Sequence, residues 1–206
     1  MRRRLLALTA ALTLTTGCGY NNIQRLDEQA ATAQHQIEVQ LQRRADLIPN
    51  LVATVKGYAQ QELEVLTRVT QARAGLVSAI QSRDPQQMAN ADAQLNAQLA
   101  IVNRSVVEAY PQLQSNEQFM RLQDELTGTE NRIAVSRQDY NQAVQQYNTT
   151  IRTFPTALTA KVTGAKPRNY FEVTDPGARQ APTVDFGKPA AAPPSGAAPG
   201  GTTKSP

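Results

Sequence analysis

Few residues in this chain of 206 could carry chemistry, and their spacing decides how little they do. The chain has a single His, His35, and a single Cys, Cys18. One His excludes multi-histidine metal sites, and one Cys excludes a disulfide framework or a cysteine-rich metal site. His35 lies in a Gln-rich stretch, off its apolar stripe and without a cluster of acids beside it, so it reads as a solvated polar residue. Glu62 and Glu64 are two apart, and Asp124 and Glu125 are adjacent. On a helix neither pair faces itself, whereas general acid–base work needs convergent carboxylates. There is no Gly-rich phosphate loop and no strand to precede one. The sequence therefore assigns no catalytic residue, no metal and no cofactor.

Two polar groupings are better placed. Gln42-Arg43-Arg44-Ala45-Asp46 stands just before Pro49, and Arg44 falls on an otherwise apolar stripe. Glu130-Asn131-Arg132 lies far along the chain, in a row that runs Gln123, Glu130, Arg137, Val144. A cation on one helix and a carboxylate on another can fix register, because a buried pair adds little net stability but penalises misalignment. The expected pairing is Arg44 with Glu130, within a structural polar cluster of Arg43, Arg44, Asp46, Glu130 and Arg137. The competing reading is that both partners are solvated.

Cys18 has a different context. Arg2, Arg3 and Arg4 form a basic head, and Leu5 to Thr16 an uncharged run of Leu, Ala and Thr. A helix needs about 20 apolar residues to cross a bilayer, so this run is too short to span but fits the core of a signal segment. Cys18 follows directly, after Gly17. The arrangement resembles the lipobox of bacterial lipoproteins, although Thr15 stands where Leu is usual. That resemblance implies that Cys18 becomes the mature N-terminus and carries acyl chains. It also implies, through Gly19 rather than Asp, sorting to the periplasmic face of the outer membrane in a two-membrane cell. An ordinary signal peptide with an incidental Cys, or an uncleaved weak anchor, is the plainer alternative. Loss of Arg2–Arg4 would leave basic and acidic residues almost balanced, against a formal +4 for the whole chain. A near-neutral chain without a basic block offers nothing to draw nucleic acid.

These residues are positioned by helices. From 21 to about 155 Gly and Pro are few, and Gln, Ala, Leu, Arg and Glu, residues that lose little free energy in a helix, abound. Apolar residues recur at three- and four-residue steps: Ile23, Leu26, Ala30, Ala33, Ile37 and Leu41 in one segment; Leu47 through Ile80 in a second; Met88, Leu95, Leu99, Val102 and Val106 in a third. The fourth is the most regular, with Phe119, Leu126, Ile133, Tyr140, Tyr147 and Phe154 spaced by seven. Boundaries are expected near Asp46–Pro49, at Asp84-Pro85, at Tyr110-Pro111, at a Ser115/Gln118 capping box, and at Phe154-Pro155. The fold expected is all-α: an antiparallel up-and-down bundle of three to four long helices. The number turns on whether Pro49 ends a helix or only kinks it. The expected organisation is a signal segment over 1–17, a bundle over 18–155, and an extended segment over 156–186. Within that segment Tyr170-Phe171 and the Val184/Phe186 pair pack back. A Pro/Ala-rich tail over 187–206 is too poor in large apolar residues to order itself.

Three stretches also carry a family resemblance. QLQRRADLIPNLVATVKGYAQQE (Gln40–Glu62), LQDELTGTENRIAVSRQDYNQAVQQYNTTIRTFP (Leu122–Pro155) and YFEV (Tyr170–Val173) resemble the LemA family, as does the Cys18-Gly19-Tyr20-Asn21 start. The similarity covers about Tyr20 to Phe186. It implies a membrane-attached helical bundle whose bulk lies outside the cytoplasm, and it implies no activity. Two functions follow as expectations. One is a scaffold or interaction protein of the cell envelope, tethered by Cys18 and meeting an unknown envelope protein or copies of itself. The other is a small-ligand carrier or enzyme using a polar pocket inside the bundle.

Overall fold

A computed structural model describes residues 2–59 and 63–173, with side chains from Gly19 onward except 105–107. The described residues form helices joined by short turns, followed by a non-helical segment from Gly164 to Val173, with no strand among them. In order these are α1 (Arg2–Lys56), α2 (Leu63–Ser82), α3 (Pro85–Ile101), a π turn (Val102–Val106), α4 (Val107–Ala109), a 3-10 turn (Pro111–Ser115), α5 (Glu117–Thr150) and α6 (Thr156–Thr163). The side chains of the leader, Cys18 included, lie outside the described set, as do Val184, Phe186 and the tail.

The first correction concerns Pro49. The sequence places a boundary near Asp46–Pro49; α1 instead runs unbroken through Pro49 to Lys56, and the second helix begins at Leu63. Proline supplies no N–H to the carbonyl four residues back, which here belongs to Ala45. Arg73 of α2 fills that place, its Nε donating to the Ala45 carbonyl at 2.8 Å. The orphan left by proline is thereby satisfied from a neighbouring helix. Arg73→Leu should cost about 1–3 kcal/mol by stranding that carbonyl. The same substitution should cost much less in a Pro49→Ala background, where the new amide at position 49 can donate instead. Urea unfolding of the four proteins measures this, and equal costs in both backgrounds would discard the explanation.

The other boundaries follow local chemistry. Asp84 caps α3, its Oδ1 accepting from the Gln86 and Gln87 amides at 2.8 and 3.3 Å, with Pro85 as the first helical residue. The third segment ends before Tyr110-Pro111, as its sequence predicts, but after a π turn. The cap of α5 is Asn116, not Ser115: its side chain accepts from the Phe119 amide at 2.8 Å, while Ser115 closes the 3-10 turn. After α5 the chain is not simply extended. TALTAKVT forms α6, which stops at Gly164, where φ is 71°. Only glycine adopts that left-handed cap without strain, and Ala165 N–H then reaches the Ala160 carbonyl at 3.0 Å.

α1 packs along α5, and α2 packs on both α3 and α1. Ile23 and Leu26 lie with Tyr147 and Ile151, Arg44 with Glu130, and Tyr58 with Asn116, so α1 and α5 run in opposite directions. The buried stripe of α5 holds Phe119, Leu122, Leu126, Thr129, Ile133, Tyr140, Val144 and Tyr147. Phe154, the last of the heptad series, is out of it and exposed. One core cluster spans α1, α2, α3 and α5; a smaller one of Ile23, Leu26, Tyr147, Ile151 and Ala160 closes the end where α6 lies. Tyr170 and Phe171 pack on the main cluster, Phe171 fully buried.

Candidate functional site

Arg44 is the largest fully buried side chain of the described residues, 1% exposed in the C-terminal part of α1. A guanidinium is taken out of water only where carboxylates and amides replace its hydration. Its Nη1 donates to Asp92 Oδ1 at 3.0 Å. Its Nη2 donates to Asn96 Oδ1 and lies 3.6 Å from Glu130 Oε2. Asp92 and Asn96 are one helical turn apart on α3, so both present oxygen to the same guanidinium. Asp92 is itself buried, and that burial raises its carboxyl pKa; the adjacent Arg44 pulls the other way, as does the more distant Arg137.

Of the five residues expected to cluster, the structure brings Arg44 and Glu130 together and places Arg137 near enough to act on Asp92. Arg137 also stacks over the Phe171 ring, 5.2 Å from its centre. Arg43 and Asp46 do not join. Both are exposed, and Asp46 instead accepts from Gln42 Nε2 at 2.8 Å. They flank Arg44 in sequence but fall on other sides of α1, since neighbours one or two apart diverge on a helix. The principal partners of Arg44, Asp92 and Asn96, were not among the expected set.

On one side the site opens into a cleft of 270 Å³ between α1, α3, the π turn and α5. Asn96, Asn103, Gln123, Thr127 and Glu130 line it with Leu99 and Leu126. Gln123 Nε2 donates to Asn103 Oδ1 at 2.8 Å across its mouth. These groups can accept and donate hydrogen bonds, but none is a nucleophile paired with a base. Glu64 and His35 are exposed at distant places, and His35 Nδ1 lies 3.5 Å from Glu38. Among the described residues no group of three His, Cys, Asp or Glu is placed to hold a metal ion. No helix of the described residues is long and apolar enough to cross a membrane.

Comparison with known proteins gives a consistent answer. The model of the LemA family matches residues 33–186. Magnetosome proteins MamQ 1 and MamQ 2 of Paramagnetospirillum magneticum are each 30% identical over 175 residues, covering 74% of this chain and 64% of their own length. Magnetosome protein MamQ of Magnetospirillum gryphiswaldense is 29% identical over 189 residues, covering 81% of this chain and 69% of its own. The chain thus spans about two thirds of the length of these relatives. The matched region takes in Arg44, Asp92, Asn96, Glu130 and the buried stripe of α5, and with most of the chain matched, this protein belongs to the LemA family.

Proposed function

We propose that this protein is a lipid-anchored, non-catalytic scaffold of the cell envelope. Its helices form an antiparallel bundle held outside the cytoplasm by acyl chains on Cys18. One observation carries the reading: the single Cys stands immediately after a basic head and a short apolar run, with Gly on either side. Two or more acyl chains hold a protein to a bilayer stably at ~0.8 kcal/mol per buried CH₂, and no transmembrane helix is then required. Membership of the LemA family and likeness to magnetosome proteins are compatible with a structural role at a membrane. The buried polar site supports the non-catalytic part, since both terminal nitrogens of Arg44 are engaged, by Asp92 on one and by Asn96 and Glu130 on the other. The cleft beside it favours a second reading, a carrier of a small polar ligand. Its cation is already neutralised, which ranks that reading lower.

Cys18→Ser should abolish fatty-acid labelling and move the protein from the membrane to the soluble extracytoplasmic fraction. Metabolic labelling with a radioactive fatty acid, followed by fractionation of a two-membrane bacterium, reads both. Labelling that persists in the variant would falsify the anchor.

A further inference from the structure

The end of the molecule that carries Cys18 presents a second apolar feature. Val162, Phe154 and Leu158 are the most exposed large apolar side chains of the described residues, at 89%, 82% and 62%. Leu158 and Val162 stand four apart on α6, so they share one side of it; Phe154 lies in the turn leading in. The other side of α6 is occupied. Ala160 is buried against Ile23, Leu26, Tyr147 and Ile151. A Cβ built on Gly19 would meet Thr159 Oγ1 at 3.0 Å and Thr156 Cγ2 at 3.6 Å. α6 therefore rests on the backbone of α1 one residue beyond Cys18.

Charge on the segment that carries α6 has one sign. From Ile151 to Phe171 the chain carries Arg152, Lys161, Lys166 and Arg168 and no acid. Arg168 is held by Asp27, Nε to Oδ1 at 2.7 Å; Arg152, Lys161 and Lys166 have exposed side chains. Tyr20, also at this end, is 45% exposed. Clustered apolar side chains in water mark an interaction surface. An apolar stripe edged by cations is the pattern that lies in the boundary between headgroups and acyl chains of an anionic bilayer.

We propose that the outer side of α6 is a membrane-contact face, seating Phe154, Leu158 and Val162 among the lipids beside the acylated Cys18, with Arg152, Lys161 and Lys166 toward anionic headgroups. The proposal rests on the anchoring of Cys18. A tether alone lets the molecule swing on its lipid. A second contact only a residue's width away fixes the tilt of α1 against the bilayer and so holds the far end of the helices at a set distance from it.

The chain has no Trp, so a single introduced indole reports without background. The full-length acylated protein carrying Leu158→Trp is reconstituted into phosphatidylethanolamine–phosphatidylglycerol vesicles with brominated acyl chains. Val135→Trp is the control, at a position 60% exposed midway along α5. The expected result is that the indole at 158 loses most of its emission to bromine while that at 135 keeps it. If both proteins float with the vesicles and 158 is quenched no more than 135, the contact face is wrong and the anchor stands. A blue-shifted but unquenched indole at 158 also overturns the proposal, because protein and not lipid then covers the face. If neither protein floats, the anchor itself fails and the proposal falls with it.

Discussion

Arg44→Met will destabilise the protein by about 3–5 kcal/mol, and adding Asp92→Leu will return most of the loss. The single change removes the cation that neutralises a buried carboxylate 3.0 Å away. Asp92 is left among Met88, Leu95 and Leu99, its stripe neighbours on α3, with no charge of opposite sign in contact. The double change removes both charges and leaves apolar side chains of similar size, which a close-packed helix interface accepts. The Glu130 arm behaves differently. It is longer, at 3.6 Å, and Glu130 is 58% exposed, so water and salt screen it. A cycle of Arg44→Ala with Glu130→Ala should therefore couple by under ~1 kcal/mol. Denaturant midpoints for both cycles decide which carboxylate fixes the register. A larger coupling to Glu130 than to Asp92 would reverse the assignment.

The same pair gives a pH dependence with a definite sign. Burial raises the Asp92 carboxyl above its ordinary value, with Arg44 opposing. A raised folded-state pKa contributes stability that is present in acid and is lost as pH rises through it. Removing Arg44 takes away the largest opposing influence and raises that pKa further. The deficit of Arg44→Met is thus greatest at neutral pH and shrinks as the solution is acidified through the carboxyl range. A deficit that grows on acidification would mean that Asp92 is not the partner that pays for the loss.

What could be read from the sequence was what is periodic. The heptad series of α5 and the Asp84-Pro85 start of α3 are local signals, and each helix forms where its own residues specify it. The polar site was half legible. Arg44 was conspicuous as a cation on an apolar stripe. Asp92 carries the matching signal: Met88, Asp92, Leu95, Leu99 step by four, three and four, so an acid fills a slot the stripe requires to be buried. Two charges each occupying an inward slot on different helices are a pairing that sequence can suggest. Pro49 is hard to read for the opposite reason. Its cost is local, but its remedy, Arg73, comes from a residue 28 positions beyond the carbonyl it serves. Arg43 and Asp46 adjoin Arg44 in sequence, but adjacency on a helix separates side chains.

Phe171→Ala should cost about 3–5 kcal/mol, although Phe171 lies in no helix. Its ring is 1% exposed, packed on the main cluster with Arg137 stacked over it. The backbone around it is fixed by α5 as a strand would be by a neighbour. Asn141 accepts from the Phe171 amide at 2.8 Å and donates to the same residue's carbonyl at 3.3 Å. Asn148, two turns further on, makes the same pair of bonds with Arg168, both at 2.9 Å. Between them the Tyr140 hydroxyl donates to the Asn169 carbonyl at 2.8 Å, and burial pushes that phenol up to about 12, so it stays a donor throughout the physiological range. The segment is therefore clasped at three points before its ring is counted, and truncating the ring leaves a cavity that the clasp prevents from closing. Asn141→Ala should release the backbone and let that void collapse, so its cost on top of Phe171→Ala should be smaller than on the native chain. Thermal or urea unfolding of the two single variants and the double one measures this. Strictly additive costs would show that ring and clasp act independently, and the close coupling of this segment to α5 would have to be abandoned.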